Sequence, residues 1–231
     1  MRAALLLLAD GRLPSGSHAH SAGLEQAVTD GRVRTVADVE LFARGALETA
    51  GFTAAALSAA TCAMAGAGTV PMDAVPWERL CAEAAARQPS AAVRAAAEAQ
   101  GRALLRTGRR VWPAAGLEQL AACTLRPPLP VALGAVAAAA GLQPADAALA
   151  VLQGSAAGLA SAAVRLLGLD PIEVAAALAR LTDTVDRLAD EAAAFADADP
   201  ARLALLPATT GPLLDVLAEQ HDDREMTLFA S

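Results

Sequence analysis

Three side chains near the start of the chain are of types that do chemistry. His18 and His20 stand two residues apart in "LPSGSHAHSAGLEQAV", Leu13 to Val28, and Glu25 follows them. Nickel, zinc and copper all accept imidazole. In an extended loop, residues two apart point to the same side; in a helix they do not. No cysteine lies near the pair, and Asp10 and Glu25 are the acids close to it in sequence. Two imidazoles fall short of the ligand number and supporting shell of a stable site, so the pair is expected to serve the loop's structure or contacts and not to bind nickel tightly. Ser15, Ser17 or Ser21 could pair with a histidine as a nucleophile, but the segment lacks a nucleophile elbow and any oxyanion-hole signature. A helical enzyme built on His18, His20 and Glu25 stays as a rival reading; turnover lost in His18→Ala would support it.

Other charged groups fall into ordinary helical patterns. Asp183, Asp186 and Asp190 share one face, and Arg187 sits four residues after Asp183, a spacing that makes surface pairs. Arg102, Arg106, Arg109 and Arg110 form a basic face. Both read as solvated or docking faces. Cys62, Cys81 and Cys123 have neither zinc spacing nor the even count of a disulfide framework. Each stands among Ala and Leu, as a small core residue in a reducing, cytoplasmic compartment would. There is no phosphate-binding glycine loop and no dinucleotide fingerprint.

The elements that would carry these residues are helical. Ala, Leu, Arg and Glu are strong helix formers, all 18 basic residues are Arg, and Ile172 is the sole Ile. No segment alternates like a half-buried strand. The expectation is an all-α, single-domain bundle of nine to ten helices over residues 1–231. Thr35 with Asp38 forms a capping box before "VADVELFARGALETA", which Gly51 ends. Further helices are expected at 77–87 and 90–107, with Gly108 as a stop. "LRPPLP", Leu125 to Pro130, is a break, and Gly141 with Pro144 splits the next apolar stretch. Asp170, Pro171 and Glu173 start a helix expected to run to Phe195, and a last one covers Leu213 to Asp222.

Two apolar stretches invite a membrane reading. Ala3–Ala9 is cut short by Asp10 and lacks a cleavage signal, so it reads as a first core helix. Ala147–Val164 has no charge but holds Gln153, Ser155 and Ser161, and reads as a buried helix. A membrane-associated protein remains the second rival; extraction that depends on detergent would support it. The net charge of −7 is uneven: residues 1–169 carry 14 Arg and 12 acids, residues 170–231 carry 4 Arg and 13 acids. That balance, with 3% aromatics, argues against nucleic acid and suits docking of a basic partner. Ala-rich apolar stripes exceed what a monomer's core requires, so at least a homodimer is expected.

The opening segment resembles the N-terminal signature of the urease accessory protein UreF family. Leu13, Pro14, Gly16, Ser21, Gly23, Leu24 and Glu25 match it; Ser17 replaces a glycine, and His18 and His20 replace aromatics. "RAAAEAQGRALLR" and "LPVALGAVAAAAGL" resemble later family segments, the second without its histidine. "GLASAAVRLLGLDPIE" resembles another, with Asp170 where Gln is usual, and "HDDREMTLFAS" resembles the family's ending.

The resemblance implies a helical, usually dimeric scaffold and not an enzyme, with no cofactor of its own. It implies partners: a UreD-like protein (also called UreH), a UreG-like GTPase and, through their complex, the urease apoprotein, with nickel handled indirectly. It carries over Gly23, Glu25, Arg165, Asp170, His221, Arg224 and Phe229 as partner contacts or structural anchors, Glu25 and Arg165 foremost. The segment 219–231, acidic with an apolar tip, is expected to be a tail ordered by the partner.

Overall fold

Helix-forming composition and period are realised throughout. The computed structural model describes residues 2–14, 20–66, 76–197, 199–224 and 228–229, and among them there are twelve α-helices and no strand. His18, Ser15, Ser17 and Gly16 lie outside the described residues.

The helices run in order as α1 (Arg2–Leu8), α2 (Leu24–Thr29), α3 (Val36–Ala46), α4 (Phe52–Gly66), α5 (Trp77–Ala86) and α6 (Ala91–Val111). They continue as α7 (Ala115–Ala121), α8 (Leu129–Ala139), α9 (Pro144–Leu167), α10 (Pro171–Arg180), α11 (Thr182–Ala193) and α12 (Pro212–Asp222). At the centre, α4 packs on α8 and α9; α6 covers α8, and α11 covers α9 and α4. One continuous apolar core joins Leu8 near the start to Phe229 at the end.

Local signals account for several boundaries. Thr35 accepts a hydrogen bond from the Asp38 backbone while Asp38 accepts from Thr35, the capping box that starts α3. Asp170 accepts from the Ile172 backbone at 2.8 Å, with Pro171 as the first residue of α10. Gly141, at φ 71, separates α8 from α9. The apolar windows of α9 and of the continuous Val36–Gly66 helix are long enough to cross a membrane, but more than half of each is buried inside the chain, as in core helices. By contrast α1 leaves Leu6 and Leu7 exposed and buries Leu8, so the first helix is only partly a core element.

Three expectations are corrected. Gly51 does not end its helix: a π turn at Leu47–Gly51 carries α3 into α4. A Cβ there would lie 3.1 Å from the Ala46 carbonyl oxygen, so the glycine eases the tight π turn. Gly108 is not a stop either but lies inside α6, where a Cβ would come within 2.4 Å of Val136 on α8. The helix begun at Pro171 breaks at Leu181, where a tight backbone bond to Leu178 lets α10 lie on α3 and α9 while α11 turns onto α4. Arg187 pairs with Glu191 and Glu48, not with Asp183.

Close approach also governs Gly101, whose Cβ would lie 2.0 Å from the Pro127 carbonyl oxygen. Gly101→Ala is therefore expected to destabilise the fold by about 1–3 kcal/mol despite alanine's better helix propensity. A lowered urea midpoint with unchanged slope would show it.

Candidate functional site

Six of the seven residues singled out from the sequence meet at one place. The chain reaches α2 through Ala22 and Gly23, both left-handed, at φ 49 and 82. Gly23 suits that conformation and also lies against α12: a Cβ would sit 3.3 Å from the Cβ of Leu217. This turn aims Glu25, in the first turn of α2, at the end of α12. The side chain is buried, 7% exposed, and faces His221, which is 2% exposed.

Every oxygen of that carboxylate has a partner. The Leu228 backbone N–H donates to Oε1 at 2.8 Å, and the Phe229 N–H donates to Oε2 at 3.0 Å. His221 Nε2 lies 3.0 Å from Oε2. An ionised carboxylate only accepts, so Nε2 carries the hydrogen. The Ser21 hydroxyl oxygen accepts from the Glu25 backbone N–H at 3.4 Å. Phe229, 5% exposed, lies under Arg165 of α9, whose guanidinium carbon is 4.2 Å from the ring centroid. Arg224 donates to Thr29 Oγ1 at 2.8 Å, tying the exit of α12 to α2.

Asp170 is the exception. It caps α10, accepting from the Ile172 backbone N–H. Of the segment 219–231, residues 219–224, 228 and 229 are described. His221 and Phe229 are buried against the chain's own core, and Glu25 accepts from the backbone N–H groups of Leu228 and Phe229. His20 stands close by, lining a cavity that Gly23 and Phe229 also line. Among the described residues, no group of three or more His, Cys, Asp or Glu could hold a metal ion.

Electrostatics reinforce the clasp. Burial pushes the Glu25 carboxyl up, but the Leu228 N–H, His221 and the Phe229 N–H outweigh it and hold its pKa below 4.5. A lowered folded-state pKa adds stability that is complete above the unfolded value and lost as pH falls through the folded one. Acid is therefore expected to erode stability from about pH 4.5 downward, together with the lowered Asp38 and Glu219. Thermal melts across pH should show a shallower acid limb in Glu25→Gln than in the unaltered chain. Burial also pushes the Cys62 and Cys81 thiols up to about 12, which keeps them protonated and unreactive.

Sequence reasoning missed Gln26 and Thr29, which Arg224 reaches from 198 and 195 positions away. It also missed Arg87. That guanidinium is buried and donates to the carbonyls of Leu203, Leu206 and Pro207, pinning the 3-10 turn Pro200–Leu205 that leads to α12. Glu83, four residues before Arg87, is the one sequence signal for it.

Comparison with known proteins gives a consistent result. The UreF family model matches residues 33–182. The urease accessory protein UreF of Mycobacterium sp. strain JLS is 44% identical over 227 residues, covering 98% of this chain and 97% of that protein. Those of Mycolicibacterium vanbaalenii and Mycobacterium tuberculosis are 43% and 39% identical, each over 99% of this chain and 98% of the relative. Glu25, His221, Leu228 and Phe229 lie outside the residues that the family model matches.

Proposed function

From the premise that the chain belongs to the UreF family of urease accessory proteins, we propose that it is the scaffold joining a UreD-like protein to a UreG-like GTPase during nickel loading of urease. As an accessory protein it is not an enzyme. The observation that supports the reading is the match along nearly the whole length of relatives named urease accessory protein UreF.

Its physical basis is differential binding. A scaffold changes GTP hydrolysis only if it binds one nucleotide state or geometry of the GTPase better than another; equal affinity shifts nothing. The acidic C-terminal third supplies charge for docking, and apolar side chains such as Ile172, 78% exposed, supply contact area. Nickel is handled indirectly through the complex, to which this chain contributes geometry; it works as a homodimer in the cytoplasm.

Co-purification tests the bridge. The tagged chain, expressed with the UreD- and UreG-like proteins and apo-urease, should retain both, and omitting it should separate them. Urease matured without it should lack nickel and activity. If the UreD- and UreG-like proteins associate equally well without this chain, the bridging role is wrong. Nickel calorimetry on the chain alone should show no submicromolar, stoichiometric binding.

A further inference from the structure

Arg12, Arg44, Arg109, Arg180, Arg187 and Arg202 each pair with a carboxylate. Arg102, Arg106 and Arg110 do not. All three are exposed on α6, and among the described residues none of them has a hydrogen bond, ion pair or ring contact. They stand four residues apart, so they form one stripe along the helix. The other side of α6 buries Gly101, Leu104, Leu105 and Gly108. Close approach of Pro127 and Val136 to the two glycines fixes that side on its neighbours, so the stripe is carried on a rigid element. Nothing on the helix itself neutralises it: the one acid of α6, Glu98, pairs with Arg126.

Unpaired acids stand elsewhere. Asp183, Asp186 and Asp190 are exposed on α11 and have no partner among the described residues, because Arg187 turns to Glu191 and Glu48. α11 covers α9 and α4, whereas α6 covers α8, so the two charged faces belong to different parts of the surface.

We propose that Arg102, Arg106 and Arg110 form a docking surface for an acidic protein face, so that the two proteins this chain bridges bind surfaces of opposite charge. The inference rests on the reading of the chain as a bridge and adds where one partner docks and with what chemistry. A guanidinium holds a carboxylate through two parallel N–H bonds, and three at fixed spacing match carboxylates on one face of a partner. The chain as a whole carries −7, which repels an extended polyanion such as nucleic acid or an anionic membrane. An acidic patch on a protein meets the stripe without facing the remaining charge. Opposite charges on one scaffold also keep the partners apart, since each is repelled by the other's site.

Binding of the UreD-like and the UreG-like protein, measured separately and at two salt concentrations, tests this. Three forms of the full chain are compared: unaltered, a triple Arg102→Glu, Arg106→Glu, Arg110→Glu variant, and a triple Asp183→Arg, Asp186→Arg, Asp190→Arg variant. The arginine reversal should weaken one protein at least ~10-fold and leave the other within about 2-fold, with helical circular dichroism unchanged. Raised salt should weaken that same protein's binding to the unaltered chain, and the aspartate reversal should spare it. Should the arginine reversal disturb the fold, Arg→Gln at the same three positions takes its place. Both proteins held as before, or both weakened alike, would overturn the surface and leave the bridge standing. An unaltered chain that fails to hold both would end the bridging reading, and the surface with it. Double-stranded DNA or phosphatidylglycerol vesicles bound through the stripe, with both proteins retained, would overturn the choice of a protein partner.

Discussion

Replacing Glu25 with alanine is expected to cost about 3 kcal/mol of folding stability, because each buried donor left unsatisfied costs about 1–3 kcal/mol. The carboxylate serves three donors at once, namely the Leu228 and Phe229 N–H groups and His221 Nε2. The tip can carry its two N–H groups into water by lifting away. His221 cannot follow: it is 2% exposed in the last turn of α12, and without Glu25 it faces an emptied site. For a chain of this size each kcal/mol lowers the melting point by about 2–4 °C, so a fall of roughly 10 °C is expected. Glu25→Gln keeps an acceptor oxygen and should lose less. Melts followed by circular dichroism decide the matter: an alanine variant within about 2 °C of the unaltered chain would mean the clasp does not carry this load.

Deleting residues 219–231 is expected to destabilise the fold by more than any single substitution above. The deletion removes His221, Arg224 and Phe229 together. It also removes Glu219, whose carboxylate accepts from the Ser90 hydroxyl at 2.5 Å and from the Ala92 N–H at 3.1 Å at the start of α6. Losing a buried phenylalanine alone costs about 3–5 kcal/mol. A shorter deletion, residues 225–231, leaves α12 and its contacts in place and should cost only what the tip contributes. Urea denaturation of the two truncations measures the difference. Equal midpoints would mean that the last turn of α12 adds nothing, and an unchanged midpoint in the longer one would restore the picture of a tail that needs a partner for order. Loss of partner binding in such truncations bears on docking only where the shorter one remains folded.

Both predictions depend on residues that the family-like ending and the Ser-x-Gly-Leu-Glu segment make visible in sequence. Glu25, His221, Arg224 and Phe229 could be picked out individually, by resemblance to known segments. That they touch one another could not, because 196 positions separate Glu25 from His221. The same distance hides the bonds of the tip from the sequence. An acidic end with an apolar tip has the composition of a disordered segment, and the acceptors on α2 give the Leu228 and Phe229 backbone somewhere to bond.

What the sequence determined by itself is local or compositional. Helix propensity excluded strands, and the side chains at Thr35, Asp38 and Asp170 fixed helix starts through bonds spanning two or three residues. Gly141 and Pro144 marked a turn because their backbone preferences need no neighbour to express them. Tertiary structure decided where the rule for one residue type conflicts with packing. Gly51 and Gly108 read as helix ends from propensity, but lie within helices, Gly51 in a π turn and Gly108 where Val136 approaches too closely for a Cβ. Leu181 carries no breaking signal and yet ends α10, because both helices pack on α9 but α10 must also reach α3 and α11 must reach α4. Arg87 is the extreme case. A surface residue by composition, it is buried because three carbonyls of a turn more than a hundred residues later converge on it, and no local rule contains that information.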